Sequence, residues 1–384
     1  METIFNKQLF YAGVTFFGSV LAHTSLTIMQ NAATRIKNIN FNIYVPILSL
    51  LQIGAIVLAI WIYKTNGTRY ISIVSGILYS IGFIILPFIS DNAPYVVYIA
   101  GSCIFVSFII CSLMNPLYIS HISMPNTRNS YGIFHFIGLS IGQLIGYYSL
   151  ISEHLNKICW VFAAISIIQT VLIFFIPNMS PETAKEFQAP VKPKIWYHTV
   201  ALTLLPFLIG YNEVFRYINF QNVDIYKIKQ ISNAFQIINL ITSISIVFTI
   251  YFFGLRIHWI ISSIFSLIFL IIFTIFNFMD KQNIPSYIIY NFNNFGMFLG
   301  ILCVGLSLIC QISDNLIFFT QIVNIVCTNL TTTVHLYIHS HIWLIIFIVF
   351  GIAAVVYGFW VFPELKTIKE EENSRSDAIN APVI

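Results

Sequence analysis

Runs of about twenty apolar residues recur roughly twelve times along this chain, joined by short polar connections, and few folds can absorb such a pattern. A helix of that length crosses the hydrocarbon core of a bilayer once. The runs cover 8–29, 41–63, 70–87, 94–119, 130–150, 158–176, 195–220, 228–252, 257–278, 286–309, 316–338 and 342–362. Only 8% of the 384 residues are charged and 58% are hydrophobic. A soluble domain carries roughly 25% charge, so the polar surface that would keep this chain in water is missing. Strands are excluded, because barrel strands are about ten residues long with strict in/out alternation, whereas these runs are longer and uniformly apolar. The expected fold class is an all-α membrane protein with twelve transmembrane helices in two pseudo-symmetric six-helix bundles.

The first run is long and lacks a small-residue cleavage pattern, so it reads as a span and not as a signal peptide. All six cysteines fall in or at the edge of spans, which offers neither a disulfide framework nor a zinc motif, and no metal or cofactor is expected. An even number of spans puts both termini on one side. With the termini inside, Lys7, Lys64, Arg69, Arg128, Lys185, Lys192, Lys194, Arg256, Lys366, Lys369 and Arg375 are cytoplasmic, against Arg35, Lys37, Lys157, Lys227, Lys229 and Lys281 outside. That bias favours cytoplasmic termini. The sequons at Asn66 and Asn178 then face the cytoplasm and should carry no glycan.

The longest charged stretch between spans runs from Pro177 to Lys194 and divides the runs six and six. The expected organisation is a first bundle over 1–177, a central cytoplasmic loop over 178–194, a second bundle over 195–363 and a polar, disordered tail over 364–384. An internal echo supports two related halves: Gly67 precedes Arg69 after the second span of one half, and Gly254 precedes Arg256 after the second span of the other.

The stretch Pro116-Leu-Tyr118-Ile-Ser-His121, followed by Pro125-Asn-Thr-Arg128 and by His135-Phe136-Ile-Gly138 with Gly142 and Gly146, resembles a sugar-porter pattern of P-x-Y-x-x-E, P-x-x-x-R-G and H-Q-L-G. Further matches are Phe17-Gly18-Ser19, Gly210-Tyr-Asn212, Asn239 followed by Gly254-Leu-Arg256, Asn324, and Phe362-Pro363-Glu364-Leu-Lys366. On these marks the chain resembles a divergent sugar porter of the major facilitator superfamily. The resemblance implies alternating-access transport of a sugar, with Arg69, Arg128 and Arg256 in the cytoplasmic gating network. Departures accompany it. Lys64, His121 and Tyr251 replace acids of that network, Ser102 replaces an arginine, Phe136 stands for a glutamine, Pro206 and Phe207 stand for a glutamine pair, and span ten has no tryptophan.

Sugar hydroxyls both donate and accept hydrogen bonds, as amide side chains do, so Asn212, Asn239, Asn324 and Gln143 are the candidate solute-binding residues. The competing reading is interhelical hydrogen bonding, worth about 0.6 kcal/mol on average in membranes. Glu213 and Arg216 share a helix face inside span seven and read either as a cavity pair that sets selectivity or gating, or as a self-satisfying ion pair near the interface. His23, His135 and His335 read as hydrogen-bonded packing, and Ser25 stands where symporters of the family carry an acid. No nucleophile, phosphate loop or metal cluster supports an enzyme.

The reading is therefore a monomeric plasma-membrane uniporter of a small hydroxylated solute, a hexose such as glucose, with the lipid bilayer as its only other partner and no nucleic acid. Two alternatives stay open: the same fold carrying an amino acid, nucleoside or organic ion, or coupled to protons; and a non-transporting nutrient sensor.

Overall fold

The computed structural model describes residues 2–34, 41–89, 93, 95–122, 128–151, 154–180, 225–279, 284–301, 318–319, 322 and 342–362. The described residues are helical almost throughout. They form α1 (Glu2–Thr34), α2 (Phe41–Asn66), α3 (Thr68–Ile85), α4 (Tyr95–Ile122), α5 (Arg128–Ile151), α6 (Leu155–Ile173), α7 (Ile225–Phe278), α8 (Ile284–Gly296) and α9 (Ile342–Trp360). Each of the first six expected spans falls on its own helix. The eighth and ninth fall on the two arms of α7, the tenth on α8 and the π turn Met297–Ile301 that continues it, and the twelfth on α9. The seventh span and most of the eleventh lie outside the described residues. Seven of the described helical stretches are long and apolar enough to cross a membrane by length and composition.

The distribution of polarity is that of a protein solvated by lipid. Leu50, Trp61, Phe248, Phe252 and Trp360 are 63–79% exposed on helix exteriors, while Ser19, Thr24, Ser107, Ser140 and Ser166 are fully buried. Apolar side chains cost nothing against acyl chains, so the helices turn their small and polar residues towards one another.

The chain divides into two compact units, one over 1–193 with 307–329 and the other over 194–306 with 330–384. Small residues set the helix spacing in each. In the first unit, Gly138, Gly142 and Gly146 of α5 form a stripe at every fourth residue, and a Cβ on any of them would come within 2.4–2.8 Å of α1 at Ser19, His23 or Val20, and Thr27. Backbones in lipid associate through such close approach. Hydroxyl pairs stitch α3 to its neighbours: Ser75 and Ser107 each donate to the other's carbonyl at 3.1 and 2.6 Å, and the hydroxyls of Ser80 and Ser166 lie 2.9 Å apart.

In the second unit the later arm of α7 is the hub. The Trp259 indole donates to the carbonyl of Ala354 on α9 at 2.9 Å. The π turn leaves helix carbonyls and amides displaced, and Ser262 serves both sides of it by donating to Gly296 O and accepting from Ile301 N.

The Gly–Arg echo has a geometric basis. Gly67 has φ 86 and ψ −178, and Gly254 has φ 74 and ψ 169, a conformation open essentially to glycine alone. Each turn is tied to the exit of a later helix in its own unit. Asn178, just past α6, donates to Asn66 O at 2.7 Å and accepts from Arg69 N at 3.1 Å, while Thr68 N donates to Met179 O at 2.9 Å. In the second unit the Arg256 guanidinium donates to the carbonyls of Gly358 and Phe359 at the end of α9, satisfying acceptors that the helix itself cannot.

Candidate functional site

Of the four amides expected to meet the solute, Asn239 is the one the structure illuminates. It lies on the first arm of α7 at 1% exposure, and its Oδ1 has no hydrogen-bond partner among the described residues. Two further amides share its side of the helix, one and two turns earlier. The Gln236 and Asn233 carbonyl oxygens are likewise buried and unpartnered there. At about 100° per residue the three fall within an arc of about 120°. Sequence reasoning passed over Asn233 and Gln236 because no family motif marks them, although amides in an apolar run were the available signal. Asn212, Asn324, Glu213 and Arg216 lie outside the described residues. Gln143 is half-buried on α5, and Arg128 opens that helix.

In the first unit a polar chain links α4, α1 and α5. Asn115 Nδ2 donates to Ser19 Oγ at 2.7 Å and to Thr15 O at 3.3 Å, Ser19 Oγ lies 3.1 Å from Thr15 O, and Ser19 Oγ lies 2.6 Å from His135 Nδ1. His135 is 5% exposed. The His23 ring stands edge-on to it with centroids 6.1 Å apart, and edge-on to Phe108 at 5.2 Å. His135 is thus packed and hydrogen-bonded, as the sequence suggested, while His23, expected to be hydrogen-bonded too, makes ring contacts. Asn115, the anchor of the chain, was missed.

Beside this chain, α1, α3, α4 and α6 enclose a cavity lined by Thr15, Gly18, Ser75, Tyr79, Asn115, Tyr118 and Gln169, with about 20 Å³ open to water centres. That is room for a water or two. Gln169 donates to Val14 O at 3.0 Å, leaving its Oε1 and the Tyr118 hydroxyl without a partner among the described residues. No charged side chain lines it.

The positions where family acids are replaced show aromatic and exposed surroundings. The His121 ring stacks on Tyr63 at 6.2 Å, Tyr63 also meets Phe318, and Lys64 is exposed. Arg69 stands over the Tyr70 ring at 5.6 Å.

Residues 9–185 match the family model described as sugar (and other) transporter. No curated protein matches the chain by sequence. Among solved structures, the major facilitator superfamily proton:xylose symporter XylE bound to 6-bromo-6-deoxy-D-glucose aligns with a TM-score of 0.72 at 14% identity, over 96% of this chain and 99% of that one. Over residues 9–185 the chain is thus similar to sugar transporters, and its fold is that of the major facilitator structure it aligns with. The chain also aligns with XylE from E. coli in its partially occluded inward-open conformation at a TM-score of 0.68 and 14% identity, covering 93% and 100% of the two chains. The major facilitator transporter FucP aligns at 0.67 and 10% identity, covering 93% and 98%. Phe136, which stands where the sugar-porter pattern has a glutamine, is 0% exposed, packed inside the unit, with His135 as its polar neighbour.

Proposed function

We propose that the protein carries an uncharged polyhydroxylated solute of hexose size by facilitated diffusion, and that Asn239, Gln236 and Asn233 supply amides to its site. One observation carries the reading. Among the described residues every buried polar side chain is a hydroxyl, amide or imidazole, and none is an acid or a fixed cation. Among these groups a charged solute would meet no counter-charge, whereas a sugar can exchange its water for amide and hydroxyl partners. The buried carbonyls of α7 that lack partners are the groups such a solute would satisfy, and each costs about 1–3 kcal/mol while unmet.

Asn212, Asn324 and Gln143 are proposed to complete the site, with Glu213 and Arg216 tuning selectivity and Arg69, Arg128 and Arg256 holding the cytoplasmic turns. The bundles are taken to be 1–177 and 195–363. Both termini are placed in the cytoplasm, in the plasma membrane. The test is uptake of labelled D-glucose, D-xylose and D-fructose into proteoliposomes of purified protein, with and without an imposed pH gradient. Saturable uptake indifferent to the gradient is expected. Uptake that requires the gradient would replace uniport by proton symport. Uptake of amino acids or nucleosides in place of all three sugars would replace the solute.

A further inference from the structure

The polar chain in the first unit fixes the protonation of one histidine. Ser19 Oγ has one proton to give and two lone pairs to fill. Asn115 Nδ2 fills one lone pair, since it also faces Thr15 O, an acceptor, and so must present its NH2 group. Two neighbours remain, Thr15 O at 3.1 Å and His135 Nδ1 at 2.6 Å. If His135 carries its proton on Nδ1, it donates to Ser19, Ser19 donates to Thr15 O, and all three bonds form. With the proton on Nε2, Ser19 must turn its hydrogen to Nδ1, and the bond to Thr15 O is lost. The full set of bonds therefore requires the proton on Nδ1, and in the neutral ring that leaves Nε2 bare.

That bare nitrogen has no hydrogen-bond partner among the described residues, and none of His135's described contacts engages it: Ser19 takes Nδ1, and the His23 ring lies edge-on to the imidazole. His23, Phe108 and Gln143, on α1, α4 and α5, are each half-buried, so this side of the first unit is only partly closed. The neighbouring residue, Phe136, offers no polar atom.

We propose that His135 is a solute-binding residue that accepts a hydrogen bond from a solute hydroxyl through Nε2, with Ser19 and Asn115 as the positioning residues that hold the ring in the Nδ1-protonated form. The proposal rests on the sugar-uniport reading and supplies an acceptor from the first unit. A neutral acceptor with a preset tautomer discriminates: it takes a hydroxyl hydrogen and rejects an ether or methoxy oxygen at the same place.

The experiment has two arms on full-length protein. ¹⁵N NMR of histidine-labelled protein in lipid, assigned by difference against His135→Gln, reads the tautomer with and without whichever of D-glucose, D-xylose and D-fructose the wild type carries best. Kinetics of the same sugar are measured for wild type, His135→Leu, His135→Gln and Ser19→Ala. Expected are an Nδ1-protonated His135, a shift of its Nε2 resonance on adding sugar, and a KM about fivefold higher in His135→Leu, the worth of one neutral hydrogen bond. His135→Gln, whose amide oxygen can replace Nε2, should stay within about twofold of wild type. Ser19→Ala should show a mixed tautomer and an intermediate KM. An Nε2-protonated ring, or a resonance unmoved by sugar together with a wild-type KM in His135→Leu, would overturn the assignment while leaving sugar transport intact. Failure of the wild type to carry any of the three sugars would instead remove the transport reading, and this role for His135 with it.

Discussion

Replacing Gly142 by alanine should loosen the first unit, because the seam between α1 and α5 has no space for a methyl group. A Cβ at this position would lie 2.7 Å from Val20 O, 2.7 Å from His23 Cβ and 3.0 Å from Thr24 N. Non-bonded contacts rest at about 3.5–4.0 Å, and two of these three neighbours are backbone that cannot rotate aside. The helices must separate by a fraction of an ångström along a seam that Gly138 and Gly146 also hold close. Overpacking of this kind costs about 1–3 kcal/mol. Alanine also gains about 1 kcal/mol of helix propensity over glycine, which masks part of the loss. Gly54→Ala isolates that gain, since nothing lies within 4 Å of a Cβ at Gly54. The difference between the two variants is then the overpacking alone. At about 2–4 °C per kcal/mol it amounts to about 2–12 °C in melting temperature, with Gly142→Ala the lower. Thermal unfolding in detergent followed by gel filtration measures it. Coincident melting of the two variants would show that the α1–α5 seam is not close-packed and would refute the reasoning.

Two further expectations concern the second unit's amides and the first unit's turn. Gln236→Leu and Asn239→Leu should each raise KM for the transported sugar about fivefold or more while leaving the melting temperature equal or higher, since each removes a buried carbonyl that no described group satisfies. Lower melting with unchanged KM would make them interhelical links instead. Asn178→Ala removes both side-chain bonds to the turn between α2 and α3, so hydrogen exchange at the Arg69 amide should quicken at least tenfold; protection unchanged from wild type would mean that Asn178 does not hold the turn.

The helices were legible because hydropathy at span length leaves one structural solution in lipid, and ten of the twelve expected spans fall on described helices. The Gly67–Arg69 and Gly254–Arg256 echo was visible as letters. Its cause, a backbone conformation essentially restricted to glycine, needed dihedral angles. Gly142 and Gly146 were noticed as family marks, whereas their physical role is distance: they bring α5 against α1. Asn66 and Asn178 read as two unrelated sequons, yet Asn178 bonds the carbonyl of Asn66, a contact between positions far apart in sequence that no local pattern encodes. Site polarity was the least legible feature. Asn115, Gln169, Asn233 and Gln236 are single amides inside apolar runs, and a sequence cannot say whether such a group meets a neighbouring helix, a buried water or a solute. Asn115 meets Ser19, Gln169 borders a cavity, and the α7 amide oxygens meet nothing among the described residues.

Counterflow tests the central claim most directly. Proteoliposomes containing the purified protein, preloaded with unlabelled D-glucose and diluted into tracer, should accumulate label transiently above equilibrium, with half-saturation raised in Asn239→Leu. Saturable binding of the sugar with no overshoot would contradict alternating-access transport and leave a sensor in its place.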